Sequence, residues 1–313
     1  MFQNLVIAFE AVIPLFITLA VGYASKKTKM LDEYCIKHVN KMLFNTLFPL
    51  IVVQNLYGAS VKEAFDVKLI VYSVLMGLIF WLLAIPVITS IEKKNPTRGA
   101  MIQAINRSNF LVIGFPVVKS ICGNESVASA SLTVVGMLLV NNIMSVVVLE
   151  VFRGGKPNAK HILKEILTNP IIIATFVGIV LMASHVKLPK VIEKTVSSLG
   201  GIATPLALII MGASLDIKNI GKRKRNIFIC VLGKLIIIPG IVTSIGALLG
   251  FRGVPFVTLL AFFAASPTTT SYTMADQMDS DGDLARDSLV FSTLLVSLTM
   301  FCWIFIYKTI GMF

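Results

Sequence analysis

Charge is what this chain has least of. Only 14% of its 313 residues are Asp, Glu, Lys or Arg while 56% are hydrophobic, too little polar material to cover a water-soluble globule of this size. Cysteine and histidine are equally sparse: Cys35, Cys122, Cys230 and Cys302 stand singly without CxxC spacing, and His38, His161 and His185 lie far apart. A disulfide framework and a zinc site are thereby excluded. The chain has no GxSxG, no HExxH and no paired aspartates within an apolar stretch, which argues against a hydrolase and points to a non-enzyme. The acids Asp276, Asp279, Asp281, Asp283 and Asp287 alternate as in a calcium loop, but Leu284 stands where that loop needs glycine and Val290 where it needs a bidentate glutamate. A solvated loop whose acids cap the next helix is the better reading, and neither a metal nor a cofactor is expected.

What is abundant is apolar sequence. A hydrocarbon core of about 30 Å takes about 20 helical residues to cross, and runs of that length fall at 4–24, 36–57, 68–91, 99–122, 127–152, 163–184, 196–214, 227–250, 256–277 and 286–309. Lipid offers no partner to backbone N–H and C=O groups, and these runs do not alternate in polarity, so they are helices rather than barrel strands. The prediction is an all-α integral membrane protein with ten spans.

The net charge of +12 and the run Gly221-Lys-Arg-Lys-Arg225 suit cytoplasmic loops better than nucleic acid. Loops after odd-numbered spans hold seventeen Lys and Arg, the other side seven, and the remaining four of the 28 (Lys41, Arg107, Lys119 and Lys234) fall inside spans. That asymmetry puts both termini outside a plasma membrane. The first run has Glu10 inside it and no basic leader, so it reads as a retained span.

The halves echo each other. Pro49-Leu50 leads to Gly58-Ala59-Ser60 as Pro205-Leu206 leads to Gly212-Ala213-Ser214, Gly22 matches Gly178, and Pro116 matches Pro267, at offsets of 151 to 156 residues. Five spans per unit is an odd number, so residues 1–155 and 156–313 form two repeats of inverted orientation. The basic segment from Lys156 to Pro170 reads as a connector along the cytoplasmic interface.

Proline inside a helix removes a hydrogen bond and clashes with the preceding turn, which predicts breaks in spans four and nine at Pro116 and Pro267. Asn109 and Gly114 precede the first, while Ser266, Thr268, Thr269 and Thr270 flank the second. Half-helices starting at mid-depth would offer free N–H groups and positive dipole ends to an anion. Arg107, two residues before Asn109, and Lys234 lie deeper than snorkelling allows; Arg107 is a candidate to touch the substrate or its vestibule. Glu10 and Asp276 are the candidates for a carboxylate that couples ion movement to transport, with structural pairing to a lysine as the alternative.

The stretches Asn109-Phe-Leu-Val-Ile-Gly-Phe-Pro-Val-Val-Lys-Ser-Ile-Cys-Gly123, Ala265-Ser-Pro-Thr-Thr-Thr-Ser-Tyr-Thr-Met-Ala275 and Gly282-Asp-Leu-Ala-Arg-Asp-Ser-Leu-Val-Phe-Ser-Thr-Leu-Leu295 resemble the auxin efflux carrier family, which includes bacterial permeases for malate and related acids. The likeness extends to Pro14–Gly22 and Asn40–Pro49. It implies a fold shared with bile-acid symporters, with spans four and nine crossing at their breaks. Spans 1, 2, 6 and 7 would form a scaffold, and spans 3–5 and 8–10 a moving transport domain. It also implies that Asn109 contacts a substrate carboxylate. Where plant members carry a Lys and an Asp, this chain has Asn45 and Tyr72, which counts against auxin and against the same coupling route. The expectation is a secondary transporter of mono- or dicarboxylates such as malate, coupled to H⁺ or Na⁺ or uncoupled, with a homodimer left open. The competing expectation is a membrane receptor that binds a small acid without moving it.

Overall fold

A computed structural model describes residues 2–57, 66–123, 127–153, 159–168, 170–184, 186–213 and 223–313, and these are helical almost throughout, with no strand among them. Four helices among the described residues are long and apolar enough to cross a membrane: Val67–Ile91, Gly136–Arg153 within Val127–Arg153, Lys224–Leu248 and Gly282–Thr309. At 1.5 Å per residue the first is about 37 Å long. Its exposed stripe is Val67, Val71, Leu75, Ile79, Leu82, Leu83 and Val87, while Tyr72, Ser73 and Trp81 are buried. Apolar side chains outward and polar ones inward is the reverse of a soluble helix, and it fits a protein solvated by lipid. The chain is a multi-pass membrane protein.

Helices begin where short acids cap them. Asp32 accepts from the Cys35 N–H (2.6 Å), Asp66 from Leu69 (2.9 Å) and Asp281 from Leu284 (3.0 Å), each satisfying a donor that the first turn leaves without an intrahelical partner. Gly123, at φ 84°, ends the helix Phe115–Cys122 in a conformation open to glycine.

The prolines act differently from the sequence expectation. Three wide π-turns, Leu43–Leu47, Phe110–Gly114 and Gly233–Ile237, each end two residues before a proline: Pro49, Pro116 and Pro239. A proline withholds the N–H due to the carbonyl four residues back and crowds it. Widening the turn relieves both, with the N–H groups of Phe48, Phe115 and Ile238 reaching back to Leu43, Phe110 and Gly233. Pro116 therefore does not break its helix. The interruption lies at residues 107–109, between Asn95–Asn106 and Phe110. In the second half the helices Gly253–Ala264 and Thr269–Gln277 leave 265–268 extended. Pro267 sits inside that gap, and Thr268 takes the capping position.

Two helices far apart in the chain meet backbone to backbone. A Cβ on Gly22 would overlap the carbonyl oxygen of Ile209, and one on Gly212 would overlap that of Leu19. Phe2–Lys27 and Lys190–Ala213 thus pack reciprocally, as small residues allow between membrane helices. At one end of the bundle a polar network ties several helix starts together. Arg223 reaches Asp281, Asp283 and Asp287, and Arg153 reaches Asp279 and Glu150. Glu92 accepts from Asn226 (2.8 Å), and Ser280 donates to Pro96 (2.6 Å). Of the acidic stretch that resembles a calcium loop, Asp279, Asp281, Asp283 and Asp287 are spent on these pairs and on the cap at Asp281.

Gly58, Ala59, Ser60 and Ser214 lie outside the described residues. So do the side chains of Glu10, Thr269 and Asp276, whose backbones belong to the helices Phe2–Lys27 and Thr269–Gln277. The connector is helical over Ala159–Thr168, followed by the helix Pro170–Ser184.

Candidate functional site

The two interruptions face each other. The main-chain N–H of Asn109 donates to the carbonyl of Ser266 (2.8 Å), and the Ser108 hydroxyl donates to the carbonyl of Phe262. Each gap thus satisfies polar groups freed by the other, which buried backbone requires where lipid excludes water. Thr293 adds a contact to the Ser266 hydroxyl (3.4 Å).

Arg107 leaves the helix end at this junction. Its N–H still bonds the Gln103 carbonyl (3.0 Å), and the residue is only 5% exposed. The guanidinium donates to Asn142 Oδ1 (3.2 Å) and Thr270 Oγ1 (3.1 Å) and touches Met274 Sδ (2.7 Å). All three partners are neutral, and no carboxylate lies within ion-pair distance of Arg107 among the described residues. A guanidinium keeps its charge under any ordinary condition. Burial without a counter-ion is costly, so the arrangement suits an anion arriving from outside.

Room for one is present. A cleft of about 590 Å³, its open mouth included, is lined by Arg107, Asn109, Thr268 and Thr270 from the two junctions and by Asn40 and Asn142 from neighbouring helices. Phe44, Phe48, Leu111, Val112, Leu138 and Ala207 form its apolar wall. The half-helices starting at Phe110 and Thr269 both begin at this cleft, where the first turns present N–H donors and a positive dipole end.

Of the residues singled out from sequence, Arg107, Asn109, Thr268 and Thr270 come together on the cleft wall. Ser266 and Pro267 are buried at the junction behind it. Gly114 and Pro116 are not at the lining: a Cβ on Gly114 would overlap the ring of Phe110, which packs edge-on against Phe115 at 4.8 Å. Gly114 serves the closeness of that turn. Asn40 and Asn142 went unremarked as cleft residues in the sequence, although an amide pair, Asn141-Asn142, in the middle of an apolar run was the available signal. No group of three or more His, Cys, Asp or Glu is arranged to hold a metal among the described residues.

A helical bundle with exposed apolar faces, two interrupted helices stitched at their gaps and a cationic cleft beside them defines a polytopic membrane protein with a polar cleft among its helices. Residues 7–161 and 157–304 match the protein family described as membrane transport protein, and the chain belongs to that family, which includes the auxin efflux carriers. Its relatives include an uncharacterized transporter of Methanothermobacter thermautotrophicus, 23% identical over 94% of this chain and 96% of the relative. A second, an uncharacterized transporter of Methanocaldococcus jannaschii, is 23% identical over 95% and 98%. The chain is a transport protein and not an enzyme.

Proposed function

We propose that the protein is a secondary carrier of small organic anions, mono- or dicarboxylates such as malate, working by alternating access. One observation carries this reading: a buried guanidinium whose hydrogen-bond partners among the described residues are all neutral, opening onto a cleft at the meeting point of two interrupted helices. A carboxylate there would take charge-assisted bonds from Arg107 and amide donors from Asn109, Asn142 and Asn40, with the threonine hydroxyls of 268 and 270 completing its shell. The neutral acceptors hold Arg107 in place without competing for the anion.

In this reading ten spans form two inverted five-span repeats, 1–155 and 156–313, with both termini outside the plasma membrane. Spans 1, 2, 6 and 7 are the scaffold, and the remainder moves as the transport domain. The reciprocal glycine packing of Phe2–Lys27 on Lys190–Ala213 supports a fixed scaffold, and the ion-pair network among 92–98, 223–226 and 279–287 supports a second body that moves as one. Movement of one body against the other would expose the cleft to each side in turn.

The test is uptake of radiolabelled carboxylates (acetate, L-malate, phenylacetate) into proteoliposomes under an imposed pH or sodium gradient. Saturable uptake lost in Asn109→Ala and Arg107→Gln supports the assignment. Binding of a carboxylate without flux would make the protein a receptor, and wild-type affinity in Asn109→Ala would move the site elsewhere.

A further inference from the structure

Lys234 has no role in the cleft, yet it is among the most deeply buried large side chains of the protein, 1% exposed. It sits in the π-turn Gly233–Ile237, packed against Asn95–Asn106, Gly253–Ala264 and Gly282–Thr309. The first two are the helices that end at the interruptions. Gly233 beside it abuts Ile105, two residues before the first gap, and Trp303 Nε1 donates to the Leu235 carbonyl (2.9 Å). The helices 224–248 and 282–309 run side by side in register, with Arg223 at Asp283 and Thr243 at Tyr307. Those two contacts, between residues 60 and 64 apart in sequence, set Lys234 level with 294–298, about one turn beyond Thr293, which touches Ser266 in the second gap. The Ser292 hydroxyl is buried without a hydrogen-bond partner among the described residues.

The charged and titratable groups on the packed elements are few. Its own helix carries Lys224, Arg225 and, one turn back, Cys230. The helix 95–106 carries Arg98 and ends at Arg107. Gly253–Ala264 and Ile238–Leu248 carry none. Gly282–Thr309 carries Asp283, Arg286, Asp287, Cys302, Tyr307 and Lys308. The acids are engaged at the bundle's end, Asp283 and Asp287 with Arg223 and Arg286, and Tyr307 with Thr243. No carboxylate pairs with Lys234 among the described residues.

An ammonium held in such a place has, among the described residues, no carboxylate to make a buried charge tolerable. A lysine, unlike an arginine, can give its proton up. We propose that Lys234 is a proton-binding site of the transport cycle, set in the turn packed on the two helices that end at the gaps beside Arg107. This rests on the carrier reading and names its coupling ion. Arg107 and a protonated Lys234 repel across the junction. An anion seated on Arg107 removes that repulsion and favours the proton, so anion and proton travel together as a symport. The amine gains the proton on one side and returns it on the other, leaving no net chemical change. Glu10 and Asp276 are then not needed as carriers of the coupling proton.

The test needs no substrate. Melting temperatures of the purified full chain are compared between about pH 6 and about pH 9, a range in which an unfolded lysine stays protonated, for wild type, Lys234→Arg and Lys234→Met. A folded state that releases this proton is favoured as pH rises, so the wild-type Tm should climb by several degrees relative to both fixed-charge variants. Equal pH dependence in wild type and Lys234→Arg overturns the proposal, even if Lys234→Met fails to fold. Should none of acetate, L-malate or phenylacetate move in wild-type proteoliposomes, the carrier reading falls, while the Tm comparison still judges Lys234.

Discussion

Asn109 bonds Ser266 through main-chain atoms alone, N–H to C=O at 2.8 Å, so the stitch between the two interrupted helices does not depend on the asparagine side chain. Asn109→Ala should therefore leave the fold close to wild type, with Tm within a few degrees. Loss of one hydrogen bond to a charged ligand costs about 1.5–3 kcal/mol, roughly ten- to a hundredfold in Kd. Thermal-shift titration with a transported carboxylate, beside the unliganded Tm, separates the two effects.

The neutrality of Arg107's neighbours is itself testable. Asn142→Asp changes one atom type and places a carboxylate where Oδ1 now accepts from Nη2 at 3.2 Å. That internal counter-ion should compete with the substrate and weaken anion binding by about a hundredfold or more, the order expected of a close opposite charge. Asn142→Ala, which only removes an acceptor, should weaken it by less. Equal losses in the two variants would mean that the charge balance at Arg107 is not what selects anions.

Adding a methyl group at Gly22 or Gly212 drives it into a backbone carbonyl of the facing helix, and backbone cannot rotate away as a side chain can. Each alanine variant should lose about 3 kcal/mol through overpacking, seen as a clear fall in Tm. Gly201→Ala is the control, since nothing lies within 4 Å of a Cβ there. It should match or slightly exceed wild type, as alanine is the better helix former.

Glu92 lies between two helices outside the spans, and the main-chain N–H of Lys94 (3.0 Å) is the chief cause that holds its carboxyl below the usual range, with Asn226 and the Lys93 N–H adding to it. A carboxyl depressed in the folded state stabilises above its unfolded pKa of about 4.3, and that stabilisation is lost as pH falls through the lower folded value. Wild type should therefore lose more Tm than Glu92→Gln between about pH 6 and about pH 3, with the two curves converging at the acid end. Parallel curves would assign the acid sensitivity to other carboxylates.

Much of this architecture could be read before any coordinates. The helix Val67–Ile91 falls within one residue of the expected 68–91, because an uninterrupted apolar run flanked by charge has one way to satisfy its backbone in lipid. Arg107 and Thr270 are expected at one site although they lie 163 residues apart, but that they bond directly has no signal in the letters. What sequence could not supply is local winding. Pro116 and Pro267 look alike as letters, yet the first is absorbed by a π-turn and the second lies in an open gap, a choice made by neighbours such as Phe110 against Gly114. Asn40 and Asn142 were equally hidden, since an amide in a span announces burial but not which cavity it borders.

The mutual seating of Gly22 on Ile209 and Gly212 on Leu19 has a kinematic result. Two helices locked carbonyl against glycine at two heights cannot glide lengthwise unless one is first lifted clear of the other. Spin labels placed on the outer faces of those helices should keep a constant separation throughout turnover, so whatever distance changes during the cycle must be sought across other interfaces.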